Sequence, residues 1–512
     1  GDVLYDRAGA RPDLDLNFAK TKSLTDNISK EDLITFTRSV GGAKASTYVD
    51  ENGLIKRATQ NLLKYSHDIG NSSGWGALGQ TTTAVSNTTE TLAPDGTQTA
   101  TKCTFNLPQQ TADSQGNPPI QTLSSVQQGG TSLGALVGDT IIWSLYLKSA
   151  TGSNQTLNMS CSGTGLTVIT VTNEWQRFEI RATRTDTNYA CRFGLRAGNG
   201  PNFVITATNG IYPAATRSVY AWGGQAEKSD NTGNNGFVTG LATELIKTTT
   251  QGLGAPRFTH DPVTKESKGL LIEQGATNLI SNKDATSSQW SKTDLNISST
   301  LGTAPTGVNE AYELIAAATT GSHHMNDTVN SSNIDSLKYT FSVFLKKGAV
   351  VNSNDVSKAR IKIGQSGEKA KAEIDLTNGT INVSTGTGYI ENYGNDWYRA
   401  TIITNVALSS SSGGCTVFVN VLNTNGSASF TGAGESIFFY GPQLEAGEAA
   451  TSYIPTSGQA DGVTRSAEIT SIVGDNFGTY TDNLVTNTSF RKLYDGWLDS
   501  NNTILEPYAA AS

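Results

Sequence analysis

The side chains best suited to hold a ligand in this chain are its tryptophans, seven among 512 residues. A flat indole face can cover the apolar face of a pyranose, much as it covers other rings and cations. Trp75 and Trp290 each follow a short apolar segment and sit in polar surroundings, which suits exposure. Trp222 and Trp397 complete the set of candidate carbohydrate-binding residues. Core packing is the competing reading. It is favoured wherever tryptophan alternates with apolar neighbours, as in Trp143-Ser144-Leu145-Tyr146-Leu147-Lys148. For Trp75 and Trp290 the competing role is a lid over the end of a folded module.

Other chemistry is sparse. Calcium needs six to eight oxygens converging from several segments. Acidic turns such as Asp95-Gly96 and Asp327 could contribute to a structural calcium site, but no D-x-D-x-D loop accompanies them, and no cofactor or metal is expected. His260, before Asp261-Pro262, reads as a side chain bonded to backbone in a turn. His323 and His324 are adjacent, and on a strand they face opposite sides, which argues against a metal pair. Cys103, Cys161, Cys191 and Cys415 have no C-x-x-C spacing. They read as buried thiols in strands, with a disulfide among the first three as the alternative. A nucleophile elbow, an H-E-x-x-H pair and a phosphate-binding glycine loop are all missing. Glycosidase carboxylates leave no motif. A polysaccharide-degrading enzyme therefore stands as the alternative to a non-enzymatic chain.

The elements that must carry these residues are strands. Charged residues make up 16% of the chain, against roughly 25% in an average soluble protein. Gly reaches 53 residues, and Ser, Thr and Asn fill much of the rest. Thr and aromatics favour strands, and Gly, Asn and Asp favour turns. The net charge is −8, and the basic residues are scattered, so no nucleic-acid-binding stripe is present. The apolar runs, such as Thr140–Leu147, are strand length, so no membrane insertion by a helix is expected. Gly1–Ala10 is polar and charged, unlike a secretion signal, so synthesis in a cytoplasm is expected.

Four landmarks occur twice in the same order, the second set roughly 200 to 220 residues after the first. Asn61-Leu62-Leu63 with Trp75 matches Asn278-Leu279-Ile280 with Trp290. Trp143–Lys148 matches Phe341–Lys346, and Asn173-Glu174-Trp175-Gln176-Arg177 matches Asn395-Asp396-Trp397-Tyr398-Arg399. Gly223-Gly224-Gln225-Ala226-Glu227 matches Gly441-Pro442-Gln443-Leu444-Glu445. Period-2 alternation in these segments predicts about eight to ten strands per copy, packed as two antiparallel sheets. The fold class is all-β: two tandem antiparallel β-sandwich (jelly-roll) domains behind a small β-rich amino-terminal region. The predicted division is 1–57, a first sandwich 58–246, a connector 247–277, a second sandwich 278–471, and a tail 472–512 that looks like the opening of a third module. Leu14–Phe18 and Leu33–Arg38 read as short strands, and Asn52-Gly53 as a hairpin turn.

At these residues the sequence resembles a known group. Leu14–Phe18, Phe36–Arg38 and Ala45–Ile55 resemble the amino-terminal region of phage tail-fibre, head-fibre and related virion proteins. Arg257-Phe258, His260-Asp261-Pro262, Gly269-Leu270-Leu271-Ile272-Glu273 and Thr277-Asn278-Leu279 look like that group's connector signature. Both copies look like its carbohydrate-binding-module-like jelly rolls, and Ser452-Tyr453-Ile454-Pro455-Thr456 with Val463-Thr464-Arg465 matches its closing motif. In the first copy the closing motif is expected at Gly236–Gly240 in degraded form. The resemblance implies a virion structural protein, a fibre, spike or decoration protein exposed on the particle exterior. It implies attachment to other virion proteins through residues 1–57, a homotrimer, and host-surface glycan as a ligand. Two alternatives are weighed: a tailspike enzyme, and a decoration protein with no ligand.

Overall fold

The computed structural model describes residues 16–22, 24, 34–39, 46–118, 123–129, 140–161, 166–183, 190–229, 242–243, 245–250, 252–348, 358–458 and 461–472. The tail beyond Ile472 and the segment Gly236–Gly240 lie outside them. Strands dominate. Among the described residues the helices are single turns: Phe18–Thr21, Ser331–Asn333 and Ser410–Ser412. Phe18 opens one of these turns instead of ending a strand, because the Asn17 side chain accepts the Lys20 N–H and caps it.

The first module has eight main strands: Thr101–Leu107, Leu123–Gly129, Thr140–Ser149, Gln155–Cys161, Thr167–Val171, Gln176–Thr183, Ala190–Arg196 and Ala215–Ser229. One sheet runs first, eighth, third, sixth across its width, and the other second, seventh, fourth, fifth. That alternation between sheets is the jelly-roll order. The second module repeats it with Asn309–Ala316, His324–Val329, Tyr339–Lys347, Lys358–Gly364, Glu368–Asp375, Tyr398–Ile403, Cys415–Val421 and Ser436–Ala446. It also inserts Thr380–Thr385 and Thr387–Asn392, one on the edge of each sheet. Its sheets therefore reach six and seven strands, against five and five in the first copy, a larger module than the alternation predicted.

Each core is one apolar cluster between its two sheets. Trp143, Leu145 and Leu147 point into the first, and Phe341, Val343 and Leu345 into the second, all fully buried. Their strand neighbours Ser144, Ser342 and Phe344 are buried too, because the outer faces of these central strands are covered by other segments.

Both copies close by the same device. The last strand bulges against the third at Gly223 (φ 68°) and Gly441 (φ 57°), where the register shifts. Left-handed backbone at a bulge favours glycine, and a Cβ on Gly441 would press on Tyr453 and Phe344 at 3.0–3.1 Å. Beyond the bulge, the Gln225 Oε1 accepts the Ile246 N–H at 2.7 Å, and Gln443 accepts that of Ile454 at 2.6 Å. Glu227 accepts the N–H and hydroxyl of Thr243, as Glu445 accepts those of Thr451. This equivalence corrects the expected position of the first closing motif. It is the segment from Thr243 to Thr248 that plays the part of Thr451–Thr456, and Gly236–Gly240 precedes it. The similarity had faded to Thr243, Ile246 and Thr248, while the contacts stayed.

Asn61 and Asn278 clamp these segments from the other side. The Asn61 amide donates to Gly224 O and Ile246 O, both at 2.9 Å, and its Oδ1 accepts from Leu63 N and Ala226 N. Asn278 makes the same four bonds to Pro442, Ile454, Ile280 and Leu444. Leaving buried backbone groups unpaired is costly. Asn278→Ala should lower the stability of the full chain by about 3 kcal/mol in urea denaturation, and Asn61→Ala by a similar amount.

Candidate functional site

All four candidate sugar-stacking tryptophans lie inside the protein. Trp75 is 3% exposed, Trp290 1%, Trp222 4% and Trp397 2%. Their indole N–H groups are satisfied internally, by Tyr65 O, Asn282 O, the Thr99 hydroxyl and Thr303 O respectively. None offers a ring face to solvent, so the stacking expectation is corrected to packing. Trp75 and Trp290 belong to the two main cores. Trp222 and Trp397 are covered on the outer side of their sheets, away from the two main cores. In the first copy Trp222 packs with Tyr146, Ala93, Ala100 and Leu245. In the second, Trp397 packs with Phe344, Tyr440, Tyr453, Ala304 and Ile55.

Ile55 comes from the amino-terminal hairpin Thr47–Val49/Ile55–Arg57, which lies on the second sandwich. Its Ile55 N–H donates to Pro305 O, and its Thr47 hydroxyl donates to Tyr453 O at 2.6 Å. A further strand, Ile34–Thr37, pairs antiparallel with Ile469–Ile472. The described part of residues 1–57 is thus joined to the distant end of the chain.

Arg257, the first residue of the connector signature, holds this joint. Its fully buried guanidinium donates to both Glu468 oxygens at 2.6 Å, to Glu273 at 2.7 Å, and to Thr47 O and the Ser452 hydroxyl at 2.6 Å. Arg38 donates to Glu468 at 2.8 Å, and Arg465 lies 3.6 Å from Glu273. Burial works against the charge on Arg257, but Glu468 and then Glu273 outweigh it and raise its pKa. Burial dominates at Arg38, whose pKa falls to about 10. The rest of the signature shapes the adjoining hairpin, Arg257–His260 with Ser267–Leu271. Asp261 accepts the Val263 and Thr264 N–H groups, which with Lys268 hold its carboxyl down to about 2. His260 Nδ1 lies 3.1 Å from Val49 O, a side-chain-to-backbone contact across to the amino-terminal hairpin instead of within its own turn.

A groove opens above this joint. It encloses about 510 Å³ between the two hairpins and the second sandwich, with Tyr48, His260, Asp261, Asn392, Tyr393 and Thr451 on its walls. A second pocket of about 380 Å³ shares Tyr48 and His260 in its lining and reaches Lys22 and Glu51, which are paired at 2.8 Å. Burial raises the phenol pKa of both Tyr48 and Tyr393, so both rings are neutral hydroxyl donors at physiological pH. The lining mixes aromatic surface, an amide, a hydroxyl and charges of both signs. Such a surface suits an uncharged, hydroxylated chain better than a polyanion. No tryptophan contributes, and the groove exists only because segments some 200 to 400 residues apart converge.

The other predicted groups lie apart. His323 has its two ring nitrogens at 2.5 Å from Asp294 O and 3.0 Å from Phe430 O, while His324 packs on Phe418. Among the described residues no three His, Cys, Asp or Glu side chains cluster as a metal site. The four cysteines are buried and form no disulfide, and Cys161 and Cys191 lie opposite each other in register with their sulfurs 3.7 Å apart. No described helix is long and apolar enough to cross a membrane.

No protein-family model matches the chain, and no curated protein matches it. Among solved structures it is similar to the N-terminal CBM22-1–CBM22-2 tandem domain of Paenibacillus barcinonensis Xyn10C. That match has 10% identity and a TM-score of 0.26, and covers 77% of this chain and 98% of the other. It is also similar to the family 11 carbohydrate-binding module of Clostridium thermocellum in complex with a β-1,3-1,4-mixed-linked tetrasaccharide. There the identity is 10%, the TM-score 0.20, and the cover 36% of this chain and 98% of the other. At these values the jelly-roll assignment rests on the strand order itself.

The joint should dominate stability. Arg257→Met leaves Glu468 and Glu273 buried without their main partner and should cost about 3–5 kcal/mol in chemical denaturation of the full chain. Burial alone would raise the Glu273 pKa, but Arg257, Arg465 and the Ser452 donors hold it below its ordinary value of 4.5. Its contribution is therefore complete above that value and is lost as pH falls below it. Urea midpoints measured from pH 6 to pH 3 should decline, and Glu273→Gln should flatten that decline.

Proposed function

We propose that this chain is a non-enzymatic structural component of a phage-type particle whose groove holds host-surface glycan. The observation that carries the ligand class is the groove lined by Tyr48, His260 and Tyr393, with a second pocket that shares Tyr48 and His260. Neutral phenols, an amide and carboxylates there can meet the hydroxyls of a sugar chain, and the ring edges can meet its apolar faces. The virion setting is supported by the resemblance at Arg257–Leu279. The solved modules it overlaps, one of them holding a tetrasaccharide, agree with the ligand class without adding weight to it. In this reading the protein is a fibre, spike or decoration protein on the particle exterior, assembled as a homotrimer and attached to other virion proteins. The joint gives the groove a rigid floor, and the tandem sandwiches project it.

The test is a glycan array of host envelope polysaccharides probed with the full chain, followed by calorimetry. Tyr48→Ala should weaken binding about tenfold with an unchanged far-ultraviolet spectrum. Absence of binding to every envelope glycan would sink the adhesive part, and release of reducing ends would overturn the non-enzymatic part. Mass photometry should find a trimer, and a stable monomer would count against that assembly.

A further inference from the structure

The duplication supplies an internal comparison at one buried position. Trp75 and Trp290 are each followed by an edge strand, in which Gly76 faces Gln127 and Ser291 faces Asn326. The next residues, Gln128 and Asp327, are therefore equivalent. Both side chains turn inward, to 5% and 7% exposure. In the first copy the Gln128 amide lies against the backbone of Lys64. Its Oε1 accepts the Lys64 N–H at 2.6 Å, and its amide donates to Lys64 O at 2.8 Å. This plugs the end of the sandwich.

In the second copy the plug is gone. Asp327 is shorter by one methylene and, as a carboxylate, cannot donate to a carbonyl. The residue equivalent to Lys64 is Ser281, whose carbonyl is taken by the Gly458 N–H at 2.7 Å. A cavity of about 320 Å³ opens there, lined by Ser281, Gln289, Ser291, Asn326, Asp327 and Asn330 among others. Among the described residues Asp327 has no cationic partner, and its carboxylate accepts the Thr328 N–H. Burial pushes its pKa up to about 6. A largely buried carboxylate kept without a counter-charge is destabilising unless something donates to it.

We propose that this pocket is a second saccharide subsite, specific to the second sandwich, in which Asp327 accepts hydroxyl protons of a single sugar residue and the surrounding amides and hydroxyls take the rest. The proposal rests on the glycan reading of the chain but not on the groove. The cavity lies in the range of small-ligand sites and is roomier than a bare cation needs. One carboxylate among neutral oxygens also gives a weak calcium site, since calcium affinity follows the number of charged ligands. Vicinal sugar hydroxyls match the lining directly, because each can donate to the carboxylate while accepting from an amide.

The first copy dictates the decisive variant. Asp327→Gln restores the side chain that plugs the equivalent position, so it should fold. Saturation-transfer NMR on the full chain would use the methyl glycosides of glucose, galactose, N-acetylglucosamine and rhamnose as probes. At least one should bind, and Asp327→Gln should abolish its signal. Asp327→Asn should weaken it about tenfold, as expected for losing a charged acceptor. Tyr48→Ala should leave it unchanged. Loss of the signal in Tyr48→Ala but not in Asp327→Gln would overturn the inference and leave the groove reading intact. If no methyl glycoside binds while the array still detects polysaccharide, the inference fails alone. If the array is also blank, both fail. Calorimetric binding of calcium chloride that is abolished by Asp327→Asn, without glycoside binding, would reassign the pocket to a cation and overturn the proposal.

Discussion

The Arg257–Glu468 pair is the contact on which the arrangement of this chain depends. A guanidinium with no access to water must find acceptors for its donors, and Arg257 finds them on Glu468, Glu273, Thr47 and Ser452. These partners come from the amino-terminal hairpin, the connector, the closing segment of the second sandwich and the residue that precedes the strand Ile469–Ile472. Buried ion clusters are weak contributors to net stability but penalise alternatives in which a charge loses its partner. Here the cluster sets which surface of the second sandwich the hairpin covers, and the groove follows from that placement.

The two sandwiches show how one sequence plan acquires two surfaces. Their closures are the same bond for bond: an asparagine clamp, a bulge glycine, a glutamine and a glutamate that hold the incoming segment. What differs is the cover on the outer sheet. The first copy covers its own aromatic face with residues around Leu92–Ala100, while the second adds to its own Thr303–Ala304 turn a hairpin from elsewhere in the chain. An interface between distant segments leaves irregular gaps that a tight local loop does not, and the groove is such a gap. The change from Gln128 to Asp327 adds a second asymmetry at the sandwich end.

Much of the fold was legible in the residues. Alternation in Trp143–Lys148 and Phe341–Lys346, and the repeated order of landmarks, determined that the chain is all-β and built of two copies. That works because a strand exposes its two faces by a period of two, and because duplicated cores keep their apolar positions. The Asn52-Gly53 turn and the Arg257–Glu273 signature were visible as well. The role of that signature was not, since a buried arginine is recognised by its acceptors, and Glu468 lies far along the chain.

The candidate sites were the part that sequence could not reach. Tryptophan at alternating positions reports which face of a strand it occupies, but not which segment lies on that face, so the segments that cover Trp222 and Trp397 were not legible. The first closing segment was misplaced because backbone N–H groups, which any residue supplies, do most of its bonding. Tyr48, His260 and Tyr393 carry no shared motif, and only the convergence of the two hairpins on the second sandwich makes them neighbours. Local periodicity and the duplication were properties of the chain. Cover, convergence and the missing plug at Asp327 were decided by tertiary packing, because each depends on what a distant segment does or does not place against a given side chain.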